Sequence, residues 1–343
     1  MSRFAPFLLL FFILFSIGCS KSIDTKRGFY YWQSYEGSLS DESQEVLTQT
    51  GVQKLYIKAF EVWQSEGDAF PASKSGFSFD PKTSPNVQLI PCVFIKTDVF
   101  ANLNNQQLDE LAEDVDYLLK KRGKEFWNTS EFEEVQIDCD WAKKDQDSYF
   151  YFLKAIKEKM GCEISCTIRL YPFKFSDDMG VPPVDRGMLM CYNLLAPKTA
   201  DNRNSIFDRK EFAKYIEGAD TYPVPLDAAL PVYSNVLMYN RIGFDGITHG
   251  VDSVLFNKLT TVDSLWYDVH ESYQRYPYYL RAGDRVKIEK ISTEDLTYAL
   301  NLLKDENIIS DGATISLYHL DDSELKRFTN EELNAVFATP ASK

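Results

Sequence analysis

The sequence predicts one α/β domain, a (β/α)8 barrel of the TIM type with a long insertion after its seventh strand. Strand-like and helix-like segments alternate from residue 28 to residue 343, and eight of the strand-like kind can be picked out. That order builds a parallel sheet whose strands are joined by helical crossovers. No Gly-rich dinucleotide or phosphate fingerprint follows any strand, which weighs against the competing open, doubly wound sheet.

Residues 29–32 read as the first strand and 40–50 as a helix closed by Gly51. Residues 55–63 and 87–95 are the second and third strands, parted by a loop rich in Gly, Pro and Ser at 67–85. The clearest helix is 105–122. Leu108, Leu111, Val115, Leu118 and Leu119 lie on one stripe, Lys120, Lys121 and Arg122 suit its negative end, and Gly123 can close it. Residues 134–141 are the fourth strand; the helix after it carries Tyr149, Phe152, Leu153, Ile156 and Met160 and stops at Gly161. Residues 163–173 and 187–194 are the fifth and sixth strands, 209–216 a helix, and 228–239 the seventh strand. The rhythm breaks at 241–290, a long aromatic stretch read as a loop insertion with a short strand at 286–288. Ser292 with Asp295 and Thr329 with Glu332 cap the last two helices, and 313–320 is the eighth strand.

Composition excludes some functions. With 44% hydrophobic and 26% charged residues the chain is an ordinary globular mixture. Its net charge of −14 repels phosphate backbones, so no nucleic-acid partner is expected. Cys92, Cys139, Cys166 and Cys191 each sit in an apolar strand-like run and read as buried free thiols. Cys162 either pairs with Cys166 or stays free. There is no paired CxxC, and His249, His270 and His319 are scattered, so neither a metal nor a cofactor is expected.

The first residues have the layout of an export signal. Arg3 is followed by an almost unbroken apolar run at 7–17, then Gly18, Cys19 and the polar Ser20, Lys21 and Ser22. The run is too short for a comfortable membrane span, which needs about 20 apolar residues. The small residue before Cys19 resembles a bacterial lipobox, with Ser16 where Leu is usual, which implies acylation of Cys19 and a lipid anchor in the membrane; the alternative is an ordinary signal peptide with an incidental Cys. Residues 1–19 are then the signal peptide and 20–27 a tether. Ser20 favours the outer membrane, so the protein is expected in the cell envelope.

In barrels of this kind the working residues cluster at the C-terminal ends of the strands. Alternation along the fourth strand puts Gln136, Asp138 and Asp140 on one face and Ile137, Cys139 and Trp141 on the other. Two carboxylates two residues apart repel, which holds one of them protonated and makes it a candidate general acid. Their structural alternative is a pairing with Arg169 or Lys58 on neighbouring strands. The other strand ends supply Glu61 and Trp63, Arg169 and Tyr171, Tyr192 and Asn193, Tyr239 and Asn240, and Tyr318. Trp32, Trp63 and Trp141 are candidate sugar platforms, and Asp227 is a further acid candidate whose bland reading is a turn residue.

The run Val135-Gln136-Ile137-Asp138-Cys139-Asp140-Trp141 resembles the fourth-strand signature of family 18 glycoside hydrolases, the chitinase group, in which alternating Asp residues precede a Trp and the catalytic Glu. Met190-Cys191-Tyr192-Asn193 resembles that group's sixth-strand Met-x-Tyr-Asp. The barrel pattern is also similar to an uncharacterised bacterial family near those hydrolases. The resemblance implies an oligo- or polysaccharide as partner. Two departures bear on activity: Ala142 stands at the catalytic Glu position, and Asn193 replaces the Asp. Three readings follow. The first is a glycosidase with Asp140 as general acid and Asp138 as its partner. The second is a surface lipoprotein that grips a glycan without cutting it. The third is an envelope scaffold that docks protein through 241–290.

Overall fold

The computed structural model describes residues 23–339 apart from 34–36, 66–67, 73–75, 81–83, 85, 199–201, 252 and 276–277. The expected leader and Cys19 lie outside the described residues. No helix among the described residues is long and apolar enough to cross a membrane.

Eight parallel strands close into a barrel: β1 (Lys26–Tyr31), β2 (Lys54–Ser65), β3 (Gln88–Ile95), β4 (Glu134–Asp138), β5 (Glu163–Arg169), β6 (Arg186–Met190), β7 (Leu226–Pro231) and β8 (Thr314–Tyr318). Each pairs with its sequence neighbour, and β1 pairs with both β2 and β8, so no edge is left open. The crossover helices are α1 (Asp41–Gln49), α2 (Asn105–Phe126), α3 (Gln146–Met160), α4 (Arg209–Ile216) and α5 (Thr293–Asp305), with α6 (Asn330–Phe337) last. The caps expected at Ser292 and Thr329 form as full capping boxes, and Gly161 ends α3 in the left-handed conformation at φ 64°.

Alternation along each strand sorts the barrel into an apolar shell and a polar lumen. Val135, Ile137 and Cys139 are buried towards the helices, while the lumen holds a hydrogen-bonded column. Lys54 pairs with Glu134 at 2.6 Å, Ser165 donates to Glu134 at 2.7 Å, and Tyr30 donates to Gln136 at 2.6 Å. Arg186 meets Asp227 at 3.1 Å in the same lower layer, near the N-terminal ends of the strands. Satisfying these groups pairwise is what allows them inside at all. Cys92, Cys139, Cys166 and Cys191 are free and buried, and Cys162 is free and partly buried.

Several expectations change: β1 begins at Lys26, inside the expected tether, the expected loop 67–85 contains a short strand, Asp68–Ala72, antiparallel to β2, and β4 and β6 end at Asp138 and Met190, short of 141 and 194. Helix α2 runs through Gly123 to Phe126; a Cβ there would lie 2.3 Å from the Thr129 carbonyl oxygen, so this glycine serves a close backbone approach and not a stop. Strand β5 ends at Arg169, where the chain turns into a helical segment, Leu170–Lys174. Strand β7 ends at Pro231, and Asn235–Asn240 belongs to the insertion. The insertion is itself ordered. Asn235–Asn240, Gly243–His249, Leu259–Thr261, Trp266–Val269 and Arg285–Glu289 form an antiparallel five-stranded sheet. Val236, Met238, Leu255, Val269, Leu280, Val286 and Ile288 give it a core separate from the barrel's. Its strands are short and broken by turn residues, which is why their alternation is faint in sequence.

Candidate functional site

The C-terminal mouth of the barrel is lined with aromatic rings around one carboxyl. Tyr192 stacks on Tyr318 with centroids 5.0 Å apart, Tyr318 lies 5.6 Å from Tyr30, and Trp32 lies 6.1 Å from both Tyr30 and Tyr318. Alternation explains the set: Tyr30 and Trp32 are two apart around the end of β1, and Tyr318 is the last residue of β8, in register with Tyr30.

Asp138 ends β4 inside this ring and keeps a partial opening to solvent. The Thr167 hydroxyl donates to its Oδ1 at 2.6 Å. Burial pushes the Asp138 carboxyl up to about 6; the Thr167 bond and the Lys58 charge pull it down, and Asp140 adds to the rise. The carboxyl that is held towards its neutral form is therefore Asp138. Asp140 stands beyond the strand end with its side chain 54% exposed, and Arg169 Nε reaches its Oδ1 at 3.2 Å. The Arg169 guanidinium also donates to the Trp141 carbonyl at 3.0 Å, so Arg169 staples the β4 exit loop. Of the pair, Asp138 is thus the deeper carboxyl and Asp140 the one at the rim, because the strand ends between them.

On the β2 side, Lys58 forms an ion pair with Glu61, and Trp63 Nε1 donates to the same carboxylate at 2.6 Å. Lys58 Nζ lies 5.7 Å from the ring centroids of Trp32 and of Phe94. A register shift between Lys58 and Phe60 brings Lys58, Glu61 and Trp63 to one face. Glu61, Trp63 and Trp32 therefore join the mouth, together with Lys58.

Two cavities open here. One of about 200 Å3 lies between Asp140, Arg169, Tyr171, Tyr192 and Asn193. Tyr171 is 51% exposed, its ring 4.7 Å from Phe175. The other, about 820 Å3, is bounded by Trp32, Tyr233, Tyr318, His319, Asp321 and, from the insertion, His249. Asn193, in the left-handed region at φ 56°, faces both cavities and accepts a hydrogen bond from the Tyr233 hydroxyl at 2.7 Å.

Four expected residues do not join the mouth. Trp141 is 1% exposed and stacks on Tyr149 at 5.4 Å; it packs the barrel shell against α3. Tyr239 packs against Trp266 at 5.0 Å within the insertion. Asn240 accepts from the Ile242 and Gly243 backbone amides at 2.8 and 3.2 Å and so shapes a turn. Asp227 lies in the lower layer, where it also accepts from the Thr314 amide at 2.7 Å; burial pushes it up to about 6, against the pull of Arg186. Thr167, Lys58, Tyr30, Tyr233 and Asp321 were not singled out as site residues in sequence. Thr167 shares a face with Arg169 two residues on, the one signal that points to it. Among the described residues no group of three or more His, Cys, Asp or Glu side chains could hold a metal.

No family model matches the chain, and no curated protein matches it in sequence. Solved structures do match in fold. The spore cortex-lytic enzyme SleL of Bacillus cereus is 13% identical with a TM-score of 0.56, over 93% of this chain and 75% of that one. A chitinase from Chromobacterium violaceum is 12% identical with a TM-score of 0.55, over 91% and 99% of the two chains. A GH18 chitinase from Cycas revoluta, in complex with (GlcNAc)4, is 9% identical with a TM-score of 0.55, over 91% and 98%. At these identities the likeness shows the fold: a closed eight-stranded parallel barrel of the kind found in GH18 chitinase-like proteins.

Proposed function

We propose that this protein binds an oligosaccharide across the barrel mouth and cleaves a glycosidic bond with Asp138 as the proton donor. The observation that carries the reading is the Asp138 carboxyl, pushed up to about 6 by burial yet partly open to solvent, beside Tyr30, Tyr192 and Tyr318 at the barrel mouth. A carboxylic acid neutral near physiological pH can pass its proton to the glycosidic oxygen as the bond to the anomeric carbon breaks. Water then supplies hydroxide to that carbon and a proton that restores the acid. Aromatic faces suit sugar rings, and the Arg169, Asp140 and Asn193 groups suit their hydroxyls. The fold shared with chitinases, one of them in complex with (GlcNAc)4, supports a carbohydrate as partner.

A second reading, binding without cleavage, is favoured by Ala142, which stands where the resemblance to the chitinase signature puts the catalytic Glu, and by the Asp140–Arg169 ion pair, which occupies the other carboxylate. A glycan array on the chain from Ser20, followed by reducing-end analysis on every hit, separates the two. Released ends that disappear in Asp138→Asn support cleavage. Saturable binding with no product supports the second reading, and no hit on any glycan removes both.

The leader reading extends to location. We propose that Cys19 is acylated and tethers the barrel to the outer membrane. Mass spectrometry of the N-terminal peptide from membrane fractions tests this; an unmodified Cys19, or a peptide beginning elsewhere, removes the anchor.

A further inference from the structure

The larger cavity contains a carboxylate without a counter-charge. Asp321 Oδ1 is taken up locally: it accepts from the Ser323 amide at 3.0 Å, the Ser323 hydroxyl at 2.5 Å and the Glu324 amide at 3.2 Å, capping a short helical turn. Oδ2 receives only the neutral Gln33 amide, at 3.1 Å. Among the described residues no lysine or arginine pairs with Asp321, and none lines the cavity. The neighbouring Glu324 differs, because Arg327 neutralises it at 2.7 Å. Burial pushes the His319 imidazole down to about 4, against the pull of Asp321, while burial raises the Asp321 carboxyl but is outweighed by the Ser323 and Glu324 hydrogen bonds, which hold it below the usual carboxylate range. The His319 Nδ1 is sequestered without a hydrogen-bond partner among the described residues. Around this charge stand Trp32, Tyr233 and Tyr318 as ring faces and Asn193 and Asn235 as amides.

Asp321 is therefore held ionised, and a cation that arrives with a ligand meets a charge that no lysine or arginine among the described residues pairs with. An acidic sugar would meet repulsion there, and a neutral acetamido group could donate a hydrogen bond to Oδ2 but would bring no matching charge. We propose that this cavity takes the free ammonium group of a de-N-acetylated amino-sugar residue, with Asp321 as its counter-ion and Trp32 or Tyr318 beneath the ring. The inference rests on the glycan reading above and names its substrate class: oligosaccharides containing unacetylated hexosamine.

The test is calorimetric titration of the full-length protein with glucosamine oligomers and with N-acetylglucosamine oligomers of equal length, in a buffer that keeps the amine protonated. The glucosamine oligomer is expected to bind about tenfold tighter or better, the scale of a charge-assisted hydrogen bond in a partly desolvated site. Asp321→Asn retains the helix cap and removes the charge, so it should erase that preference and leave N-acetylated binding within about twofold. Asp321→Ser, also a capping residue, is the second variant if the first misfolds. Equal binding of both oligomers, or a preference that survives in the folded variant, overturns this inference alone. Binding of neither oligomer overturns it; if no glycan on the array binds either, the glycan reading falls too.

Discussion

Thr167 on β5 holds Asp138 on β4 through a 2.6 Å hydrogen bond at the mouth of the barrel. Because the hydroxyl donates to the charged carboxylate, it lowers the Asp138 pKa against the larger effect of burial. If Asp138 is the acid, turnover is high below about pH 6 and falls above it. Thr167→Val removes the donor and should move that falling limb to higher pH. A pH–rate profile of kcat/KM reads this directly, and a limb that stays in place would show that another group sets it.

Asp138 also carries a stability signature. Its folded pKa of about 6 lies above an unfolded value of about 3.9. The protonated form is favoured by folding, so its contribution is fully present below the unfolded value and is lost as pH rises through about 6. Asp138→Asn cannot ionise. It should therefore melt above the parent at pH 8, and the difference should vanish near pH 4. Thermal melts at the two pH values give the sign; a variant less stable at pH 8 contradicts the desolvation account.

The lower layer of the barrel should be far less forgiving than the rim. Lys54 and Glu134 pair at 2.6 Å with both side chains nearly inaccessible. Lys54→Met leaves a buried carboxylate without its partner and is expected to cost about 3–5 kcal/mol in urea unfolding, with most of that loss recovered in Lys54→Met/Glu134→Gln. Arg169→Gln breaks a pair whose side chains are both about half exposed, so it should cost below about 1 kcal/mol, less still at high salt.

Trp141 separates packing from recognition. Its ring is enclosed against Tyr149, so Trp141→Ala should lower stability by about 3–5 kcal/mol. Glycan affinity of the molecules that remain folded should be unchanged. Trp32→Ala should do the reverse, weakening binding with a smaller loss of stability, because its ring faces a cavity on one side. Paired melting and titration data distinguish the two, and a matched loss of both in either variant would erase the distinction.

Much of this architecture was legible in residue order. Alternating strand and helix segments identify the barrel. The capping residues Ser292 and Thr329 and the terminating Gly161 mark helix ends because those signals act within a few residues of themselves. Alternation through Gln136, Asp138 and Asp140 places three polar side chains on the lumen face. What local pattern does not carry is depth and partnership. Asp138 and Asp140 share one face, yet only Asp138 lies deep enough to be desolvated, while Asp140 reaches solvent and Arg169. Trp141 resembles a sugar platform in sequence but is enclosed by α3. Asp321 gains its significance from a cavity built by Trp32 and His249, each of them at least seventy positions away in the chain. Spacing along a strand determines which way a side chain points. Burial, charge balance and the company it keeps come from closing the barrel and packing the insertion on its mouth, and those depend on contacts that sequence separation conceals.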